Sequence, residues 1–203
     1  MLLAAALLMT AQVAPVAGLY QSQQMEVGAA LELQKNGHFR YQLDYGAVSE
    51  AAEGNWISDG KTVRLTSKPM PNLPSFELVR DDPAPKGELV MTVEPPGFGE
   101  DFRIDAVAVD ATSGEKGLVT TDSNGRVETG GRTLSSVDPL VPVYGTIAGH
   151  FPLSADRGHH LVLRFHANDM GHAAFNGEPL AITPRGLVLD RYDTEIRFVR
   201  VRP

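Results

Sequence analysis

Asn-Gly occurs three times in this chain, at Asn36-Gly37, Asn124-Gly125 and Asn176-Gly177, and Asp59-Gly60 adds a fourth dipeptide of the same kind. A tight two-residue hairpin needs positive φ at its central positions, and these dipeptides supply it at the lowest steric cost. Each adjoins residues that alternate between apolar and polar. Phe39, Tyr41, Leu43 and Tyr45 alternate with His38, Arg40, Gln42 and Asp44, and Val27, Ala29, Leu31 and Leu33 alternate with Gly28, Ala30, Glu32 and Gln34. A period of two places one set on the buried face of a strand. Beyond the first residues no 3.6-residue apolar stripe is sustained. The chain therefore reads as a succession of antiparallel hairpins, an all-β protein.

The first half predicts a five-strand meander, with strands near 27–33, 39–45, 54–57, 63–65 and 76–79. Residues 47–53 (AVSEAAE) read as a short loop with a helical turn over 49–53. Pro69, Pro71 and Pro74 cannot donate to a ladder, so 68–74 reads as a loop or an edge. The polar run Asp81-Asp82-Pro83-Ala84-Pro85-Lys86-Gly87 has no apolar periodicity and is the best candidate boundary. This divides the chain into a meander over 19–82, a linker over 83–87 and a second domain over 88–203. In the second domain, short strands recur at sandwich-like spacing, including 104–109, 143–153 with a kink at Gly149, 160–167, 187–189 and 196–201.

Residues 1–18 (MLLAAALLMTAQVAPVAG) carry no charged side chain. Their apolar run has the length of an export-signal core and falls short of the about 20 residues that span a bilayer. The expectation is a cleaved signal over 1–18 and a periplasmic or secreted bacterial protein, with no membrane-spanning segment in the mature chain. There is no cysteine, so disulfides, thiolate metal sites and a lipidated N-terminal cysteine are excluded. The net charge of −7 argues against a nucleic-acid partner.

Two stretches carry resemblances. Over 26–79 the order is strand, Asn-Gly turn, aromatic-rich strand, Gly54-Asn55-Trp56, Asp59-Gly60, then Val63 and Leu65. This resembles the lipocalin-like β-modules of bacterial envelope proteins, including the N-terminal half of the copper-stress lipoprotein family. The Cys-x-x-Cys and lipobox of that family are missing here. The second stretch is Val107-Ala108-Val109-Asp110, Ser113-Gly114 and Thr120-Thr121-Asp122-Ser123-Asn124-Gly125-Arg126-Val127. It is similar to the start of a transthyretin-like or carboxypeptidase-regulatory-like β-sandwich. That resemblance implies an accessory or adhesive module without catalytic residues of its own.

The candidate sites are three. If the meander closes into a small barrel, Phe39, Tyr41, Tyr45 and Trp56 would line its interior, as core or as a ligand pocket. His166, Met170 and His172 follow a strand closely enough to offer imidazole and thioether ligands to copper. The acidic pairs Asp81-Asp82 and Glu100-Asp101, and Glu50 with Glu53 on a helical turn, all read as solvated, and a cell-wall or glycan hydrolase would use loop carboxylates such as Glu100 and Asp169. No Gly-x-Ser-x-Gly or His-Glu-x-x-His motif occurs. The expectation is a non-catalytic protein without a cofactor, binding a small ligand or an envelope protein. A metal-binding protein and a hydrolase are the alternatives.

Overall fold

The structure is a computed structural model and describes residues 16–94 and 103–201. It contains sixteen strands: β1 (Gly18–Ser22), β2 (Val27–Leu33), β3 (His38–Tyr45), β4 (Val48–Ser58), β5 (Thr62–Ser67), β6 (Ser75–Ala84), β7 (Leu89–Val93), β8 (Asp105–Asp110), β9 (Lys116–Thr120), β10 (Arg126–Val127), β11 (Leu134–Pro139), β12 (Phe151–Pro152), β13 (Gly158–His166), β14 (Asn176–Thr183), β15 (Gly186–Arg191) and β16 (Thr194–Arg200). No helix occurs among the described residues, so the all-β expectation holds. No described helix is long and apolar enough to cross a membrane.

The chain forms two compact units, one of Met1–Pro71 with Gly171–Pro203 and one of Asn72–Met170. In the first unit eight strands close an antiparallel barrel in the order β1-β16-β15-β14-β5-β4-β3-β2. Closure removes every free sheet edge. The alternation behind the hairpin reading is visible in β3, whose residues run exposed and buried in turn. Asn36-Gly37 joins β2 to β3 and Asp59-Gly60 joins β4 to β5, with Gly37 at φ 85° and Gly60 at φ 86°.

In the second unit one sheet runs β10-β7-β13-β6 and the other β12-β11-β8-β9. Phe76, Leu89, Met91, Leu161 and Leu163 of the first sheet share a core with Ala106, Ala108, Val119, Val137 and Phe151 of the second. The sheets are thus a sandwich.

Several boundaries differ from expectation. The break at 81–87 falls partly inside β6, which runs to Ala84 and pairs with β13. Strand β6 lies at a sheet edge, where Pro83 has no ladder bond to lose on its open side. The sandwich is instead an insertion between β5 and β14, and its two ends are tied together. Asn72 N–H donates to Asp169 Oδ2 (2.8 Å), Asp169 N–H donates to Asn72 O (3.0 Å) and Asn168 Nδ2 donates to Leu73 O (2.8 Å). The final three strands therefore complete the barrel rather than the sandwich.

Residues 49–53 are not a loop with a helical turn but the middle of β4. The expected strand over 143–153 is mostly irregular backbone, with an isolated bridge at Ile147 and the two-residue β12 in it. Asn176-Gly177 makes no hairpin: Gly177 has φ 72° and lies where the β14–β5 register shifts, as an αL glycine does in a β-bulge. Residues 1–15 of the expected leader lie outside the described residues. The boundary after Gly18 divides β1, since Gly18 pairs with Leu33 and Ala17 is buried in the barrel core.

Candidate functional site

Phe39, Tyr41 and Trp56 point into the barrel and are buried, while Tyr45 is half-buried against the same core. Leu31, Leu43, Val63, Leu65, Phe175 and Leu180 have 0% exposure, so no void that admits water borders them. These aromatics serve as core. Phe175 meets Tyr41 edge-on at 5.0 Å and Phe39 at 6.0 Å between ring centroids.

One ionic cluster interrupts this apolar interior. Glu50, 4% exposed, accepts both arms of the Arg191 guanidinium: Nε on Oε1, and Nη2 on Oε2 at 2.5 Å. Tyr41 Oη donates to Oε1 (2.9 Å) and Tyr192 Oη to Oε2 (2.8 Å). The guanidinium lies 5.1 Å from the Phe175 ring centroid and 5.0 Å from that of Tyr192. Burial, then the neighbouring Glu50 charge, pushes the Tyr41 hydroxyl well above its ordinary value. Burial and the hydrogen bond to Glu50 do the same to Tyr192. For Arg191, burial disfavours the charge, but the hydrogen bonds and charge of Glu50 outweigh it and raise the guanidinium further. Both Glu50 oxygens accept from two donors each inside the protein, which makes the cluster a structural tie.

The barrel's outer surface carries a groove of about 390 Å³ lined by Gln34, Asn36, His38, Phe39, Arg40, Glu53, Gly54, Asn55 and Lys68. Its size falls in the range of small-molecule sites. The β2–β3 turn supplies the amides of Gln34 and Asn36. The β3–β4 register then sets His38 opposite Asn55, Phe39 opposite Gly54 and Arg40 opposite Glu53. Just beyond β5, Lys68 N–H donates to Glu53 O at 2.9 Å, which brings Lys68 beside the same strand. Gly54 permits that approach: a Cβ there would stand 2.1 Å from Thr66 O and 2.8 Å from Lys68 N.

Gln34 Nε2 donates to Glu32 Oε2 (3.2 Å) and Asn36 Oδ1 accepts from His38 N–H (3.0 Å), whereas the charged side chains of the groove remain open. Arg40 reaches Glu32 only at 4.0 Å, with side chains 71% and 41% exposed, a contact worth about 0–1 kcal/mol. Among the described residues, neither Lys68 Nζ nor Glu53 makes an ion pair within 4.0 Å. Sequence reading missed this site. The signal was present in the outward positions His38 and Arg40, which a hairpin across β3 and β4 places beside Asn55 and Glu53.

The sandwich contains a second buried polar group. His159 Nδ1 faces Asp81 Oδ2 at 2.8 Å, while Nε2 faces the main-chain oxygen of Ser154 at 3.0 Å and its Oγ at 3.4 Å. The order Asp-His-Ser suggests a nucleophile relay, but the geometry opposes it. A general base must turn a ring lone pair toward the hydroxyl. Here the nearer group is a carbonyl, which can only accept a proton from Nε2. Arg157 also grips Asp81, with Nη2 at 2.5 Å from Oδ2 and Nη1 at 3.2 Å from Oδ1. The three residues brace β6, β13 and the loop before it.

Of the expected copper ligands, one imidazole has a carboxylate partner. His166 Nε2 meets Glu77 Oε2 at 2.8 Å, and Met170 is 43% exposed. His172 belongs to the barrel unit, where it bridges to Ala51. No group of three or more His, Cys, Asp or Glu among the described residues could hold a metal ion. Asp169 closes the base of the insertion, and Glu100 and Asp101 lie outside the described residues.

The fold thus defines a closed eight-stranded barrel with an inserted β-sandwich and a polar groove on the barrel wall. Comparison with known proteins finds no matching family model, no significantly similar curated protein and no significantly similar solved structure.

Proposed function

We propose that this chain is an exported, non-catalytic binding protein of the bacterial periplasm. It has a lipocalin-like barrel, carries a transthyretin-like sandwich, and takes a small polar ligand in the groove on the barrel wall. The observation that carries this reading is the set of open donors and acceptors in a cleft of ligand size. A packed barrel interior moves the site from the expected inner cavity to the outer wall. The leader-like first residues support export.

The test is a fragment screen by amide chemical shifts on the mature protein. Binding should perturb residues 34–40, 53–55 and 68 as one group. A screen that leaves these amides unmoved would end the reading. So would steady turnover of ester or glycoside substrates that survives mutation of the groove.

A further inference from the structure

We infer that the groove selects an anion: a small molecule carrying one carboxylate or phosphate together with at least one O–H or N–H donor. This rests on the groove being the ligand site. Arg40 and Lys68 flank Glu53, Arg40 as its cross-strand partner and Lys68 through the main-chain hydrogen bond to Glu53 O. Within the lining two cations thus border one carboxylate, with the Asn55 amide as a further donor, while Glu32, outside the lining, faces Arg40 from β2 at 4.0 Å.

Charge distribution makes this placement informative. The inserted unit, Asn72–Met170, holds eight Lys and Arg against fifteen Asp and Glu, which is the whole chain's net −7. The barrel unit holds ten of each and is neutral. A cationic groove on a neutral barrel presents its field without a surplus of acidic neighbours in its own unit. Arginine offers a forked pair of N–H groups that matches an oxyanion, and lysine adds a point charge. Glu53 sets the second requirement. Its carboxylate repels a bare anion and accepts from a hydroxyl or ammonium group, so the ligand must bring a donor as well as a charge.

The experiment titrates the mature protein with glucuronate, glucose 6-phosphate, glucose and inorganic phosphate, read by groove amide shifts and calorimetry. Glucuronate or glucose 6-phosphate should bind at least tenfold more tightly than glucose, and the stronger of the two identifies carboxylate or phosphate as the anion. Arg40→Gln and Lys68→Gln should each remove most of that preference while leaving the fold's amide spectrum intact. Glu53→Gln should tighten binding of inorganic phosphate several-fold, the opposite sign from the two cation variants. Equal binding of glucose and glucuronate would overturn the anion inference and leave the groove as a ligand site. If none of the four compounds moves the groove amides, the anion inference also fails, and the wider fragment screen alone then judges the binding reading.

Discussion

Glu50 and Arg191 stand 141 residues apart in sequence and meet as a bidentate pair inside the barrel. The pair links β4, which precedes the inserted sandwich, to β15, which follows it. Tyr192 contributes to the same cluster from the β15–β16 turn, where it holds φ 52° beside Asp193 at φ 54°. Two non-glycine residues at positive φ form a turn whose twist suits a hairpin, at a cost that the Tyr192–Glu50 hydrogen bond helps offset.

Removing Glu50 leaves Arg191 charged and mostly buried, its side chain 22% exposed. Glu50→Ala should therefore destabilise the protein by about 3–5 kcal/mol, whereas a paired Glu50→Leu, Arg191→Met replacement should recover most of that loss. Denaturant unfolding of the two variants and the parent protein measures it. A loss below about 1 kcal/mol for Glu50→Ala would mean that the cluster is hydrated.

The tyrosines give the cluster an alkaline limit. Burial first, then Glu50, raises Tyr41 above its ordinary value of 10.0. An unfolded chain loses that proton near pH 10 while the folded barrel keeps it, so the unfolded state binds fewer protons and stability falls as pH rises. The contribution is complete below pH 10 and declines above it by about 1.4 kcal/mol per pH unit for this one residue. Tyr41→Phe should flatten the decline between pH 10 and 11.5, measured as unfolding free energy against pH. An unchanged slope would show Tyr41 ionising in the folded state.

The topology predicts how fragments behave. Residues 19–82 contain β1 to β5 but lack β14 to β16, so the barrel cannot close and its edges stay open. That fragment should be protease-sensitive and prone to association. Residues 18–71 joined to 171–203 through a short linker, which keeps the barrel strands and omits β6, should regain the β5–β14 pairing and resist proteolysis. Circular dichroism and limited proteolysis compare the two.

That contrast also locates what was legible in the chain. Strands with clean alternation, β2, β3 and β5, were readable, and so was the inward direction of Phe39, Tyr41 and Trp56. The first half of β4 was not, because Ser49 to Glu53 joins weak strand formers to a charged residue on the inward face, although the strand over 54–57 was expected. Only the distant Arg191 makes Glu50 admissible there, and a local pattern carries no trace of such a partner. The insertion was hidden for a similar reason. Residues 81–87 have linker composition yet include the end of an edge strand, while the true exit and return near Pro71 and Gly171 look like ordinary loops. The groove was half visible: its residue types stood in the open, but their convergence depended on extending β4 through residues 53–55.

Two glycines separate steric from conformational demand. Gly60 sits in the β4–β5 turn at φ 86° with open space around a notional Cβ, so Gly60→Ala should cost only the left-handed backbone penalty, about 1–2 kcal/mol. Gly54 has no positive φ, yet a Cβ there would meet Thr66 O at 2.1 Å and Ser67 Cα at 2.9 Å. Main-chain atoms cannot swing aside as a flexible side chain can, so β5 must move away from β4. Gly54→Ala should cost about 3 kcal/mol, the upper end for overpacking. Thermal unfolding reads both, at about 2–4 °C per kcal/mol for a chain of this size. Because Gly54 lies between Asn55 and Glu53 and against Lys68, the same variant should weaken groove binding, while Gly60→Ala should leave it unchanged. A Gly54→Ala protein with unaltered melting and binding would show that the β4–β5 contact at this point is looser than 2.1 Å implies.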